Sequence, residues 1–372
     1  MTKLEQLIKE ICPNGIEHKE LSEVLTIKNG RDYKGYAEGS IPVYGSGGIM
    51  TYINTYAYDK PSVLIPRKGS LDKLYYVEEP FWNVDTIFYT EINDELVVPK
   101  FVYYCLQSQH LEKLNTAGGV PSLTQSVLNK VVIPLPPLPV QSEIVRILDN
   151  FTELTAELTA ELTARKQQYE YYRNLLLTPA ENTPVMRLGE IGTVKMCKRI
   201  LKSQTSTDGD VPFYKIGTFG KAPDAYISRE LYEEYKSKYS HPSQGDVLIS
   251  CSGTIGRTVV YDGKPAYFQD SNIVWLEHDR TKVLNEYLAY CYARRPWKIS
   301  EGGTIARLYN DNILQAQIPV PPLDVQERIV QTLESFEVMC TDLTSGLPAE
   351  IEARQKQYEH YRNKLLSFKA VE

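Results

Sequence analysis

Apolar residues recur at alternating spacings of four and three along residues 139–177, and this spacing predicts one long amphipathic helix. Pro139 suits the first turn of a helix. At about 1.5 Å per residue the helix would be roughly 60 Å long, and its apolar seam would need a partner. The predicted seam, with Thr155 and Arg165 as its polar members, consists of Ile144, Leu148, Phe151, Thr155, Leu158, Leu162, Arg165, Tyr169, Tyr172 and Leu176.

The same spacing recurs near the end of the chain and predicts the partner helix. Asp324 and Glu327 are a predicted N-cap and capping-box pair. Gly346 and Pro348 predict a break, since glycine favours the end of a helix and proline a new first turn. The helix is then expected to resume through Leu366. Its predicted seam consists of Ile329, Leu333, Phe336, Cys340, Leu343, Tyr358 and Leu365.

Both helices belong to a longer internal repeat, which indicates two copies of one plan. The segments IPLPPLPVQSEIVRILDNF and IPVPPLDVQERIVQTLESF, beginning at Ile133 and Ile318, agree at 11 of 19 positions. The segments ARKQQYEYYRNLLL and ARQKQYEHYRNKLL agree at 10 of 14. Antiparallel packing of the two helices is expected to relate the two globular domains by a pseudo-two-fold axis. The predicted bounds are 1–137 for the first domain, 138–178 for the central helix, 179–321 for the second domain and 322–372 for the distal helix.

The two globular segments are predicted to be α+β domains with mixed or antiparallel sheets. In the first, residues 62–66 and 86–90 predict strands, residues 45–48 a turn, residues 100–114 a helix and residues 131–133 a last strand. The second segment repeats this plan, with a strand at 246–249, a helix at 283–294 and Gly253 where the first has Gly69. The segments Ala117-Gly118-Gly119 and Glu301-Gly302-Gly303 also correspond.

Composition is typical of a globular protein without a membrane segment. Hydrophobic residues make up 42% and charged residues 24% of the 372 residues. The four predicted segments carry net charges of −3, −2, +2 and −3, which sum to −6. Six scattered cysteines without a CxxC pair disfavour a zinc site and a disulfide framework, and they predict a cytoplasmic protein without a metal.

These motifs resemble the specificity (S) subunits of type I restriction–modification systems. The resemblance covers the whole chain and rests on the two-fold repeat, the paired proline steps, the Thr-Ala-Glu-Leu units, the QYExYRNxLL endings and the Gly-Gly segments. It implies a non-catalytic subunit whose two target-recognition domains read the two halves of an asymmetric double-stranded DNA site, spaced by an antiparallel coiled coil. The resemblance further implies two modification subunits that carry S-adenosylmethionine, together with restriction subunits that use ATP and magnesium.

The units Thr155-Ala156-Glu157-Leu158 and Thr159-Ala160-Glu161-Leu162 form a shorter repeat inside the first helix. Each unit adds about 6 Å of helix and about 40° of rotation beyond one turn. The number of units would therefore set the distance and phase between the two domains. The alternative interpretation is that Thr-Ala-Glu-Leu is simply good helix-forming sequence.

Base readout needs basic, amide or hydroxyl side chains on loops that reach the major groove, so residues in or beside the Gly-rich turns and in the densest basic cluster are the predicted DNA contacts. Ordinary solvated surface is the alternative for any one of them. In the first domain they are Arg31, Lys34, Tyr44, Ser46, Arg67 and Lys68. In the second they are Lys198, Arg199, Lys202, Lys215, Lys221, Ser252, Thr254 and Arg257.

Two other classes of function remain open at this point. Pro223-Asp224 followed by Glu234-Tyr235-Lys236 fits the PD…ExK pattern of metal-dependent nucleases, but residues 229–239 predict a helix where that site needs a strand. The acidic net charge would also suit a coiled-coil scaffold whose domains bind protein or carbohydrate. The chain lacks an Asn/Asp-Pro-Pro-aromatic motif for methyl transfer and a Walker-type phosphate loop.

Overall fold

A computed structural model describes residues 3–115, 119–299, 306–342 and 344–368. The predicted positions Ala117, Gly118 and Leu343, and the segment 301–303, lie outside the described residues. The chain forms two compact units, Met1–Ala160 with Ala349–Glu372 (unit 1) and Glu161–Pro348 (unit 2). These bounds differ from the predicted domains because each unit includes parts of the long helical segments.

Unit 1 combines short strands with helices at its beginning and in its second half. Its helices are α1 (Lys3–Ile11), α2 (Leu21–Val24), α3 (Pro99–Ser108) and α4 (Gln125–Leu128), with a 3-10 turn at Leu111–Leu114. Its strands are β1 (His18–Glu20), β2 (Leu25–Asn29), β3 (Glu38–Gly45), β4 (Gly48–Ile53), β5 (Ser62–Pro66), β6 (Tyr75–Val77), β7 (Trp82–Asn83), β8 (Ile87–Ile92) and β9 (Val132–Pro134).

The sheets of unit 1 are mostly antiparallel. Four strands follow the order β2-β8-β5-β6, three follow β4-β3-β7 with β3 and β7 parallel, and β1 pairs with β9. Strand β5 is buried on both faces. Val63 and Ile65 pack in the main core with Phe101 of α3, whereas Leu64 packs against Phe81 in a second cluster. The predicted class and the predicted strand at 62–66 are confirmed.

The helix predicted over 100–114 ends early, at Ser108. His110 has a φ of 51°, in the left-handed region, and a regular helix cannot continue through that conformation. The next residues form the separate 3-10 turn. The continuous apolar pattern hid this break.

Unit 2 repeats the same sheets with different surface elements. Its strands are β10 (Val185–Arg187), β11 (Gly192–Lys195), β12 (Val211–Tyr214), β13 (Tyr226–Ile227), β14 (Val247–Ser250), β15 (Thr258–Val260), β16 (Tyr267–Phe268), β17 (Ile273–His278) and β18 (Gln317–Pro319). Its helices are α6 (Leu188–Ile191), α7 (Arg229–Lys238), α8 (Asn285–Ala293) and α9 (Asn310–Gln315), with a 3-10 turn at Lys202–Gln204. The strand orders β11-β17-β14-β15, β13-β12-β16 and β10-β18 match those of unit 1 element by element. The internal repeat is therefore a repeat of fold.

The long helical segments are α5 (Leu138–Leu176), α10 (Leu323–Thr341) and α11 (Leu347–Leu366). The break before Pro348 lies where it was predicted. The predicted capping pair is wrong, because α10 begins one residue before Asp324, directly after Pro322, and no side chain caps it. Asp324 lies in the first turn and forms an ion pair with Arg328 at 3.0 Å instead.

The described seam positions are buried or half-buried, whereas most positions between them are exposed. Within unit 1, the rings of Phe151 and Tyr361 stack at 5.4 Å. Within unit 2, the rings of Phe336 and Tyr172 stack at 5.5 Å. Phe151 and Phe336 occupy the same position of the repeat, and so do Tyr172 and Tyr361. In each pair, a residue near the start of one helical repeat contacts a residue near the end of the other, as antiparallel packing requires.

A buried glutamine fastens the start of each long helix to its own domain. Gln141 accepts a hydrogen bond from Val98 N–H at 2.8 Å and donates to the carbonyls of Leu96 and Pro136 at 3.1 and 2.7 Å. Gln326 makes the same three bonds, from Leu284 N–H and to the carbonyls of Lys282 and Pro321, at 2.9, 2.9 and 2.8 Å. Both side chains are fully buried.

We refer to each glutamine with its three hydrogen bonds as the clamp. The clamp explains why the proline step and the following Val-Gln recur in both halves. The repeated isoleucines and leucines of the helix starts are buried as well, among them Ile133, Ile144, Ile318 and Leu333. These side chains are covered by their own domains and are not available to a partner subunit. Among the described residues, identical exposed residues that a partner could reach remain at Pro137 and Pro322 of the helix starts and, in larger number, at the helix ends.

Candidate nucleic-acid interface

Five of the six predicted residues of unit 1 lie close to the segment 83–86, and four of them do so on loops, namely Arg31, Ser46, Arg67 and Lys68. Strands β3 and β7 are parallel, so the turns that follow them meet at the same end of the sheet. Thr86 joins its own turn to two others, because its carbonyl accepts the N–H groups of Arg67 and Lys68 at 2.9 and 3.2 Å and its hydroxyl accepts Ser46 N–H at 3.3 Å. Arg31 joins them through its N–H, which donates to Asn83 O at 2.9 Å.

This Thr86 cluster (Arg31, Ser46, Arg67 and Lys68 around Thr86) combines cations with a hydroxyl at one surface. Arg31 and Lys68 are exposed, and Arg67 is half-buried with its guanidinium carbon 5.8 Å from the centre of the Phe88 ring. Gly69, with a φ of 86°, turns the chain away directly after the two basic residues. The cluster can offer donors to phosphate or to base edges.

Of the remaining two predicted residues of unit 1, Tyr44 lies beside the cluster, where it pairs with Asn83, and Lys34 lies apart from it. Tyr44 is half-buried, and its ring packs against Tyr75 and Phe81 at 5.8 and 6.3 Å between centroids. Lys34 lies beside Thr51 and Tyr52, away from the hairpin turn that carries Ser46. Proximity to glycine in the sequence does not distinguish Lys34 from the cluster residues.

Unit 2 has a groove of about 560 Å³ at the corresponding end of its parallel strands β12 and β16. Three predicted residues line it, namely Arg199, Lys202 and Lys215. We refer to it as the basic groove. Other side chains that line it are Thr205, Gln269, Asp270, Asn272 and Arg307. Arg199 forms an ion pair with Asp270 at 2.9 Å, and Lys215 forms one with Asp224 at 2.9 Å.

The other predicted residues of unit 2 have varied surroundings. Ser252 adjoins the groove, since its hydroxyl donates to Asn272 Oδ1 at 2.8 Å. Thr254 and Lys221 are exposed on turns. Lys198 lies over the ring of Tyr239 at 5.2 Å. Arg257 is half-buried and donates to Phe219 O at 2.9 Å, so its guanidinium braces the domain internally.

Sequence reasoning missed Arg307, which lines the basic groove from a segment about 100 residues after Arg199. Leu308 N–H donates to Cys251 O at 2.9 Å, just as Leu123 N–H donates to Arg67 O at 2.9 Å in unit 1. Arg307 thus corresponds to Ser122, which bridges to Lys68. The repeated Gly-Gly segment a few residues upstream was the available signal.

The surroundings of Glu234 and Lys236 do not support a nuclease site. Glu234 and Lys236 lie on helix α7, and Glu234 forms an ion pair with Lys238 at 2.9 Å. In the described ranges, no three His, Cys, Asp or Glu side chains come together as metal ligands. Burial raises the pKa of the Cys251 thiol, beside the groove, to about 11, so it stays protonated near neutral pH. The PD…ExK match is a coincidence of sequence.

Asp224→Ala is expected to leave DNA cleavage by the assembled complex unchanged. The substitution removes only an exposed ion pair and leaves Lys215 without its carboxylate, so DNA affinity should stay level or rise slightly. Cleavage and binding assays on the wild-type and variant complexes check this. Loss of cleavage with DNA binding intact would revive the nuclease hypothesis.

Comparison with known proteins decides the family. The family model described as "Type I restriction modification DNA specificity domain" matches residues 13–165 and again 180–353. The chain belongs to the type I restriction–modification specificity subunits. As such a specificity subunit it is a non-catalytic DNA-recognition protein, which confirms the predicted function. The alternative of a scaffold that binds protein or carbohydrate is not favoured.

Two named relatives align with most or all of this specificity subunit. A putative type I restriction enzyme specificity subunit of Haemophilus influenzae is 47% identical, and the alignment covers 99% of this chain and 98% of the relative. A type I restriction enzyme specificity subunit of Escherichia coli is 32% identical over 75% of this chain and 73% of the relative.

Solved structures show the same fold at low identity. A chain from a study of complex assembly and conformational transition of the type I system aligns with a TM-score of 0.61 at 17% identity, covering 95% of this chain and 98% of that one. The S subunit of M. genitalium aligns with a TM-score of 0.56 at 16% identity, covering 94% and 96%. No helix in the described part of the specificity subunit is long and apolar enough to cross a membrane.

Proposed function

We propose that this subunit reads a split, asymmetric DNA site, with one half read by the Thr86 cluster of unit 1 and the other by the basic groove of unit 2. One observation carries the proposal. The two units repeat the same strand order, yet they carry different side chains at equivalent loop positions, such as Ser122 and Arg307. Two copies of one scaffold with unlike donors suit two unlike half-sites.

The partners in this proposal are double-stranded DNA, two modification subunits and the restriction subunits. Identical exposed residues at the two helix ends support two copies of one partner. Glu170 and Asn174 are exposed on α5 one turn apart, and Glu359 and Asn363 are exposed at the same repeat positions on α11. In this proposal S-adenosylmethionine, ATP and magnesium are bound by the partners, in the cytoplasm. This subunit contributes the choice of sequence.

The helix α5 is proposed to set the spacer between the two half-sites. Deleting Thr159–Ala160–Glu161–Leu162 removes about 6 Å of helix and shifts the seam by about 40°. Leu158 and Leu162 are half-buried on that seam. We expect genome-wide methylation mapping to show a split motif with both halves kept and a shorter spacer, or complete loss of methylation.

A length-preserving variant is the matched control. Thr159→Ala with Glu161→Gln changes two exposed side chains of the same unit without shifting the seam, so the methylated motif should stay the same. If the deletion also leaves the motif unchanged, the four-residue units do not set the spacing. If no split motif depends on this chain at all, the reading of a bipartite site is wrong.

A further inference from the structure

The basic groove of unit 2 presents hydrogen-bond donors and few unengaged acceptors. The amide oxygen of Gln269 accepts Ile216 N–H at 2.9 Å, and that of Asn272 accepts the Ser252 hydroxyl at 2.8 Å. The Asp270 carboxylate is engaged by Arg199 at 2.9 Å. These acceptors are used inside the domain, so a ligand in the groove meets mainly N–H groups.

Arg307 is the groove cation with the most defined position, and like Lys202 it forms no ion pair with the described residues. It is half-buried, its Nη2 donates to Ser271 O at 2.6 Å, and its guanidinium carbon lies 6.0 Å from the centre of the Tyr309 ring. Among the described residues no carboxylate lies within ion-pair distance of it. Arg199 and Lys215, by contrast, are each neutralised by an aspartate.

The turn that holds Arg307 has an uncommon backbone. Ser271 has a φ of 59°, in the left-handed region that side chains other than glycine seldom adopt, and Asn272 N–H donates back to Asp270 O at 2.7 Å. In unit 1 the equivalent strands are β7 and β8, and the segment Val84-Asp85-Thr86 connects them. Ser122 stands there in place of Arg307. The donor arrangement therefore belongs to unit 2 alone among the described residues.

A donor-rich site selects an acceptor-rich base edge. In the major groove guanine presents two adjacent acceptors, N7 and O6, whereas cytosine presents an amino group and adenine one donor with one acceptor. The planar fork of arginine matches the two guanine acceptors with two parallel bonds. A lysine can reach both acceptors only from a single ammonium without the planar fork, and a phosphate contact would carry no sequence information.

We propose that Arg307 reads a guanine in the half-site bound by unit 2, and that Lys202 contacts the neighbouring phosphate backbone. This inference rests on the proposed function, because it names a specificity-determining residue within one of its two reading sites. It assigns to unit 2 a half-site with at least one essential G·C pair whose orientation matters.

The test is competitive DNA binding by the complex of this chain with its modification subunits. The DNAs are duplexes with the mapped site and with each single base-pair change in both halves. We expect Arg307→Ala to weaken binding to the cognate site by roughly 5- to 150-fold and to relax discrimination at a G·C position in one half only. Arg307→Lys should restore only part of the affinity and of the discrimination, because it keeps the charge but not the planar fork.

Two controls keep the result decisive. Arg328→Ala removes an exposed arginine that is paired with Asp324 on α10, and it should change neither affinity nor discrimination. If Arg307→Ala disturbs folding, the wild-type complex decides the matter on DNA with 7-deazaguanine, which lacks the N7 acceptor, at each guanine in turn. Weakened binding at one guanine of one half supports the proposal, and equal binding at all of them overturns it.

The remaining outcomes separate this inference from the function on which it rests. If Arg307→Ala weakens binding equally to all DNA sequences and Arg307→Lys restores it, the residue contacts a phosphate and does not read a guanine. Unchanged binding by Arg307→Ala would overturn guanine reading as well. If the wild-type complex itself fails to discriminate its mapped site from altered sites, the proposed bipartite reading fails instead.

Discussion

DNA binding by the assembled complex is expected to weaken by about three to five orders of magnitude between 50 and 200 mM salt. Each phosphate neutralised by a lysine or arginine releases counterions, and six to ten such contacts produce a loss of this size. The chain is acidic overall, with a net charge of −6, so it has no general attraction to DNA. The loss must come from local cations such as those of the basic groove, together with the partner subunits.

The measurement is the dissociation constant from fluorescence anisotropy at several salt concentrations. Lys202→Ala should reduce the slope of log K against log salt by about 1, since one phosphate contact is removed. Lys356→Ala is the matched control, because Lys356 is exposed but paired with Glu352 on α11 at 2.6 Å, and it should leave the slope unchanged. A flat salt dependence of the wild-type complex would contradict recognition of DNA through its phosphates.

Gln326→Ala is expected to lower the free energy of unfolding by about 2–4 kcal/mol. The substitution leaves Leu284 N–H and the carbonyls of Lys282 and Pro321 without their buried partner, and unsatisfied buried groups cost about 1–3 kcal/mol each before relaxation. The loosened helix start should also weaken the attachment of α10 to unit 2. Because Gln141 makes the same three bonds, Gln141→Ala should cost unit 1 a similar amount.

Urea unfolding of the full chain, followed by tryptophan fluorescence, measures this effect. Gln331→Ala is the matched control, because Gln331 is exposed on the same helix and its loss should change stability by no more than about 0.5 kcal/mol. Equal stability of the Gln326 and Gln331 variants would show that the clamp contributes little. The repeated Val-Gln would then need another explanation.

The clamp also shows how far sequence reasoning reached. The repeat of Val-Gln is visible in the sequence, but its cause is not. The three backbone groups that Gln141 binds lie between five and 45 residues away from it along the chain. Burial of the helix starts shows that their repetition serves packing inside each domain.

Short-range periodicity determined most of the architecture. The four–three spacing identifies the seam of α5 from Ile144 to Leu176, because helical geometry places those positions on one face wherever the helix lies. The apolar run of β5 and the break before Pro348 are equally local properties. The internal repeat then implied that unit 2 has the same sheets as unit 1, before any contact between strands was known.

Only the tertiary structure decided which side chains form each reading surface. Arg199, Lys215, Gln269 and Arg307 come from four separate segments, and they meet because β12 and β16 run parallel and end together. Glycine-rich turns mark where the chain bends but not which turns become neighbours, so they do not distinguish Lys34 from the residues of the Thr86 cluster. Local preference acts over a few residues, whereas a binding surface depends on contacts between segments more than 100 residues apart.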